Sequence, residues 1–194
     1  MGLTALKVED LPHYTYDDYA RWEGQWELIN GIAYAMTPSP NIKHQDISQK
    51  IAGQLYRLLD DCKYCKPLLA IDWQITDDTV VQPDNLIICG ENPEDVKLLI
   101  TPVVIFEILS PNTTRHDKII KFQLYQEAGV KYYCIVDPDT YSAAVFQLNP
   151  DKNAYQGKGD LKEGKMICDL GPCSIAFDFS ELFRKEPVKY RPPQ

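Results

Sequence analysis

No apolar run in this 194-residue chain approaches the length needed to cross a bilayer. Its first residues, MGLTALKVEDLPHY, have neither the basic start nor the apolar centre of an export signal, so a soluble cytoplasmic protein with no membrane partner is expected. Positive charge is scarce. Lys and Arg number 20 against 28 Asp and Glu, a net charge of -8, which argues against a protein that coats nucleic acid by bulk electrostatics. A local site stays open, because a bound metal ion needs carboxylates around it and then reverses the field toward phosphate. There is no basic cluster or aromatic ladder to mark a nucleic-acid track. Lys43, Lys50 and Arg57 share one helix stripe that reads as readily as a solvated face. Internal repeats and low-complexity blocks are absent as well.

The second half of a cysteine motif is also missing. Cys62-Lys-Tyr-Cys65 has the spacing of a zinc or redox site, but no second CxxC or HxxxH follows, and Cys168 and Cys173 lie five apart in a different element. A four-ligand site would need the fold to bring distant cysteines together. Six cysteines spread over a chain that can bury its own core, with Cys89 and Cys134 inside apolar strand-like runs, are expected to be reduced packing residues. With 44% hydrophobic residues, the chain supports one sizeable core. One domain over 1–185 is expected, followed by an extended or disordered tail, 186–194, that carries three prolines.

What is present alternates between helix and strand patterns. Thr15-Tyr-Asp-Asp18 resembles a capping box opening a helix to about Glu23. Trp26 to Met36 holds Asn30-Gly31 between two apolar runs, a strong hairpin signal. Pro38-Ser-Pro40 ends that unit, and a helix then carries Ile47, Ile51, Leu55, Leu58 and Leu59 on one face. Strands are predicted over Leu68 to Ile75, Val80 to Cys89 and Val103 to Leu109, with a polar loop from Gly90 to Lys97. Ser110-Pro-Asn-Thr-Thr114 breaks the third strand before a helix from about Arg115 to Ala128, closed by Gly129. Tyr132 to Asp137 returns as a strand, so a right-handed crossover within one mixed sheet is expected. Shorter strands follow at Ala143 to Leu148, Tyr155 to Gly157, Lys165 to Cys168 and Ser174 to Phe177.

Four charged residues stand out from this pattern. Glu107 sits inside Val103-Val-Ile-Phe-Glu-Ile-Leu109, where an uncompensated carboxylate would lose several kcal/mol of hydration. Its partner is a metal ion, Lys121, or both. Asp84, after Pro83, begins or precedes the neighbouring strand, which would set two carboxylates side by side, an arrangement suited to a hard cation such as Mg2+. As a turn residue it would have no such role. Lys121 follows Asp117 by four residues, so an i,i+4 ion pair competes with a reach back toward Glu107. Glu27, in the hairpin, faces either the site or water.

The motifs Glu27-Leu-Ile-Asn-Gly, Pro-Ser-Pro-x3-His44, Gln82-Pro-Asp84-Asn and Glu107-Ile-Leu-Ser-Pro-Asn-Thr-x3-Asp117-x3-Lys121-x3-Tyr125-x3-Gly129-Val, ending in Tyr-Tyr-Cys-Ile-Val-Asp137-Pro, resemble the Uma2 family of the PD-(D/E)XK nuclease superfamily. The resemblance runs from about Tyr16 to Phe183. It implies an α/β, mixed α+β, restriction-endonuclease-like core: a central mixed sheet flanked by helices, with an N-terminal helix and hairpin. It also implies a metal-dependent endonuclease acting on DNA, with RNA as another possible substrate, working as a homodimer without an organic cofactor. Asp84 then matches the Asp of the PD motif and Glu107 the acidic residue of the next motif. Mg2+ or Mn2+ would be held by Asp84, Glu107 and the main-chain carbonyl of Ile108. Leu109 stands where the superfamily places its lysine, and the Uma2-like pattern moves that lysine to Lys121. Glu27 matches an early acidic residue that completes such sites. His44 also matches, although its place on the helix's apolar face reads first as a hydrogen-bonded core histidine. Tyr125, one turn after Lys121, is expected to pack with its hydroxyl at the surface, or else to hold the lysine or touch phosphate.

Overall fold

The computed structural model describes residues 12–36, 41–90, 97–110 and 116–184, with only the backbone of 116–118. The expectations for Pro38-Ser-Pro40, most of the Gly90 to Lys97 loop, the break after Ser110, the Asp117 side chain and the C-terminal tail lie outside these residues.

α1 (Tyr16–Tyr19) opens where Asp18 accepts hydrogen bonds from both the main-chain N–H and the hydroxyl of Thr15, and it ends a turn short of Glu23. β1 (Trp26–Ile29) and β2 (Ile32–Ala35) form the expected hairpin. Asn30 and Gly31 both take positive φ, 50° and 74°, as a two-residue turn matching strand twist requires. α2 (Ile42–Leu58) is capped by Asn41, whose side chain accepts from the His44 N–H, and it buries Ile47, Ile51 and Leu55.

The expected single sheet is instead divided. β3 (Cys65–Leu69), β4 (Trp73–Thr76), β5 (Thr79–Val81) and β6 (Asn85–Cys89) replace two longer predicted strands. One sheet runs in the order β2-β1-β5-β4, while β3 and β6 join a six-stranded sheet. The break between β5 and β6 falls on Gln82-Pro83-Asp84, where proline has no N–H to give a ladder. That tripeptide is the hinge from one sheet to the other.

The six-stranded sheet has the order β10-β9-β8-β7-β6-β3, from β7 (Val104–Ile108), β8 (Tyr132–Asp137), β9 (Ser142–Asn149) and β10 (Ala154–Leu161). It is mixed: β7 and β8 pair in parallel and the other neighbours antiparallel. A parallel pair needs a crossover, which is made by a π-helical turn (His116–Lys121) continuing into α3 (Phe122–Glu127). Gly129, at φ 82°, closes it. β11 (Lys165–Asp169) and β12 (Ser174–Asp178) form a separate hairpin, and α4 (Phe179–Leu182), which the sequence pattern did not announce, follows.

Alternation along β7 and β8 sorts two cores. Val104, Phe106 and Ile108, with Tyr132, Cys134 and Val136, pack toward α2, β11–β12 and α4. Ile105 and Leu109, with Tyr133 and Ile135, pack toward Trp73, Tyr125 and the crossover. Glu107 belongs to this second row.

The cysteines depart from expectation. Cys62 and Cys173 form one disulfide and Cys65 and Cys89 another. Cys65 and Cys89 stand directly opposite across β3 and β6, a pairing visible only once register is known. Cys134 and Cys168 are free and buried, as packing residues should be.

Phe106, fully buried with its ring centroid 4.8 Å from that of Phe177, joins the central sheet to the β11–β12 hairpin. Phe106→Ala is expected to cost about 3–5 kcal/mol, read as a lower urea midpoint with an unchanged denaturant slope.

Candidate active site

Continuing the β6–β7 register beyond Asn85 and Phe106 sets Asp84 opposite Glu107. Asp84 Oδ2 accepts from the Ile108 N–H at 2.8 Å, which fixes the carboxylate against the end of β7. Its other oxygen lies 3.2 Å from His44 Nε2. His44 is buried, as a core histidine would be, and α2 delivers its Nε2 to Asp84.

Glu107 is only 3% exposed. Its Oε1 lies 3.0 Å from Lys121 Nζ and accepts from the Tyr125 hydroxyl at 2.6 Å. Lys121 Nζ lies 2.8 Å from Glu27 Oε1 as well, and that oxygen accepts from the Gln82 N–H at 2.9 Å. Glu27 is 4% exposed, so its water-facing reading is set aside, and Lys121, 3% exposed, makes the expected reach back to Glu107. One ammonium thus joins two carboxylates from separate sheets. The π-helical turn ends on Lys121, and such turns are frequent at functional sites.

Tyr125 is wholly buried, against the expectation of a surface hydroxyl, and its ring packs on Trp73 and Tyr133. Burial first, and then the Glu107 charge, push its phenol well above the usual tyrosine range, so it remains a protonated donor. Gln82 was legible as part of a motif but not as a donor, because its contribution is a main-chain N–H.

Asp84, Glu107 and Glu27 oppose one ammonium, which leaves a formal excess of two negative charges when His44 is neutral. A divalent cation offsets such an excess, and the oxygen-rich donor set suits Mg2+ or Mn2+. Among the described residues, the buried His44 Nδ1 and Asn85 Oδ1 have no hydrogen-bond partner; His44 meets Asp84 through its other ring nitrogen, and the Asn85 amide donates to the Ser48 carbonyl of α2. The donor atoms are not gathered tightly: among the described residues, the only group of three or more His, Cys, Asp or Glu ligand atoms within 4.8 Å of one another is formed by cysteines. Asp84 and Glu107 are the oxygen donors that would hold such an ion.

A cavity of about 310 Å³ is lined by Tyr16, Tyr19, Trp22, Trp26, Gln82 and Lys97 among others. Gln82, whose N–H donates to Glu27, lines it, whereas Glu27, Asp84, Glu107 and Lys121 do not. The α2 stripe is a solvated face: Lys43 pairs with Asp139, Lys50 with Asp46 and Arg57 with Glu181.

A model of the Uma2 family, described as "Putative restriction endonuclease", matches residues 16–170. A solved structure described as a putative nuclease belonging to DUF820, from Anabaena variabilis ATCC 29413, is similar at a TM-score of 0.71 and 17% identity, covering 88% of this chain and 97% of that one. The likeness establishes the fold. No match was found among curated proteins. Among the described residues, no helix is long and apolar enough to cross a membrane.

Lys121→Ala would leave Glu27 and Glu107 buried without their cation and is expected to cost about 3–5 kcal/mol in urea denaturation. Tyr125→Phe is expected to lose about 1–3 kcal/mol, because Glu107 loses a buried donor. It carries a second signature. A raised folded pKa means that the native state keeps its proton while the unfolded state loses it, so stability falls as pH rises above the unfolded value of about 10. Denaturation between pH 8 and 11 should therefore show a shallower alkaline decline in Tyr125→Phe than in wild type.

Proposed function

The chain belongs to the Uma2 family, and from that membership together with the site geometry we propose that it is a metal-dependent endonuclease acting on DNA. The observation that carries the reading is the carboxylate pair of Asp84, which immediately precedes β6 and accepts from the Ile108 N–H, and Glu107 of β7, in a site whose carboxylates outnumber its cation. Asp84, Glu107 and the Ile108 carbonyl would hold Mg2+ or Mn2+. A bound ion of this kind polarises a phosphoryl oxygen and lowers the pKa of an attacking water.

The chain's own groups do the positioning. His44 and the Ile108 N–H hold the two oxygens of Asp84, and Tyr125 and Lys121 hold Glu107. Glu27, itself oriented by the Gln82 N–H, fixes Lys121 rather than binding an ion of its own. In this reading Lys121 would offset the negative charge that accumulates on a phosphate during in-line attack. The aromatic cavity next to β1 offers faces on which an unstacked base would rest.

One observation favours a second reading, a non-catalytic interaction module. Lys121 is nearly sealed from solvent by the two carboxylates it joins, an arrangement that also serves as a structural ion cluster.

Supercoiled and single-stranded DNA incubated with Mg2+ or Mn2+ separates the readings. Wild type is expected to cut, and Asp84→Ala and Glu107→Gln to lose at least about a hundredfold in rate, since neither variant keeps the ligand pair. Equal cutting by Glu107→Gln would remove the site assignment. A wild type that neither cuts nor binds metal would favour the module. Competition with RNA would define the substrate class.

A further inference from the structure

The disulfide-bonded cysteines form one cluster rather than two unrelated staples. Cys62 and Cys65 flank the turn between α2 and β3, Cys89 ends β6, and Cys173 lies between β11 and β12. The sulfurs of Cys62, Cys65 and Cys173 all lie within 4.8 Å of one another, although Cys62 and Cys65 belong to different disulfides. Cys89 joins through Cys65. Closing two loops would require two pairs of sulfurs, but not their convergence at one point.

The local chemistry suits a soft metal ion. Cys62-Lys63-Tyr64-Cys65 turns so that the Cys65 N–H points to the Cys62 carbonyl at 3.4 Å, bringing both sulfurs to one side. The Gly90 N–H donates to the Tyr64 carbonyl at 2.8 Å, which ties that turn to the strand end carrying Cys89. Tetrahedral zinc with thiolates at about 2.3 Å sets sulfurs about 3.8 Å apart, a spacing within the reach of this cluster. The two remaining cysteines are a built-in contrast. Cys134 and Cys168 are buried, with burial pushing the Cys168 thiol up to about 12, and Cys134 Sγ packs 3.5 Å from Met166 Sδ.

We propose that Cys62, Cys65, Cys89 and Cys173 are the four ligands of one structural Zn2+ in the reduced protein, and that the two disulfides are the metal-free oxidised form of the same site. Two equivalents of a dithiol reductant convert the disulfides to four thiols, each reductant molecule ending as a disulfide. Zinc binding then releases the four thiol protons. All four ligands come from protein, so the site is closed and structural. It clamps the end of α2, the β3–β6 edge and the β11–β12 hairpin, away from the carboxylates, and it stands whether or not the nuclease reading holds.

The test is a Co2+ titration of full-length protein reduced with dithiothreitol and desalted without oxygen, followed by zinc displacement and elemental analysis. The expected result is the intense visible absorption of tetrahedral cobalt with thiolate charge-transfer bands, saturating at about one ion per chain and bleached by Zn2+. Cys168→Ser should behave as wild type, whereas Cys65→Ser and Cys173→Ser should lose the four-thiolate spectrum. The wild-type titration does not depend on how the variants fold. Reduced wild type that shows no thiolate-bound cobalt, or that loses it equally in Cys168→Ser, would overturn the proposal and leave two plain disulfides.

Discussion

One buried ammonium organises this protein. Lys121 lies within 3.0 Å of carboxylates from two different sheets, and each of the three groups is almost wholly removed from water. Isolated, any of them would cost several kcal/mol to bury. Together they are tolerable only if the hairpin bearing Glu27, the central strand bearing Glu107 and the crossover bearing Lys121 keep their relative positions. The division of the sheet follows from the same requirement. Gln82-Pro83-Asp84 leaves one sheet and enters the other, and in doing so gives an N–H to Glu27 and a carboxylate to the end of β7.

The apolar frame makes the arrangement selective. Alternation on β7 would have put another aliphatic between Ile105 and Leu109, and the second core already holds Trp73, Tyr125 and Tyr133. Glu107 is placed there at the expense of packing, and Tyr125 gives up a solvated hydroxyl to satisfy it. A stable core has no need of this. Two carboxylates joined by one ammonium, with the Asp84 carboxylate against the end of β7, are the feature on which the proposed metal-dependent reading rests.

Much of this was legible in the sequence, for identifiable reasons. Asn30-Gly31 specified its hairpin because few residues accept positive φ, and the charge within Val103 to Leu109 exposed Glu107 because burial of a lone carboxylate is costly. Lys121 was a candidate partner for Glu107 from its helical spacing, the family pattern gave it the place of the lysine missing at 109, and the structure brings it to Glu107. The partition into two sheets was not legible, since Val80 to Cys89 reads as one strand until Pro83 is given weight. The burial of Tyr125, the His44–Asp84 contact and the convergence of four cysteines depend on long-range register, which periodicity does not carry.

The central claim is that Asp84 and Glu107 are ligands and not merely partners in an ion cluster. Calorimetric titration of Mn2+ into wild type and Glu107→Gln, both with the cysteines in the disulfide form and folding verified by circular dichroism, tests it most directly. The account predicts a saturable Mn2+ site in wild type that disappears in the folded variant. Unchanged Mn2+ binding in Glu107→Gln, or none in wild type, would contradict it.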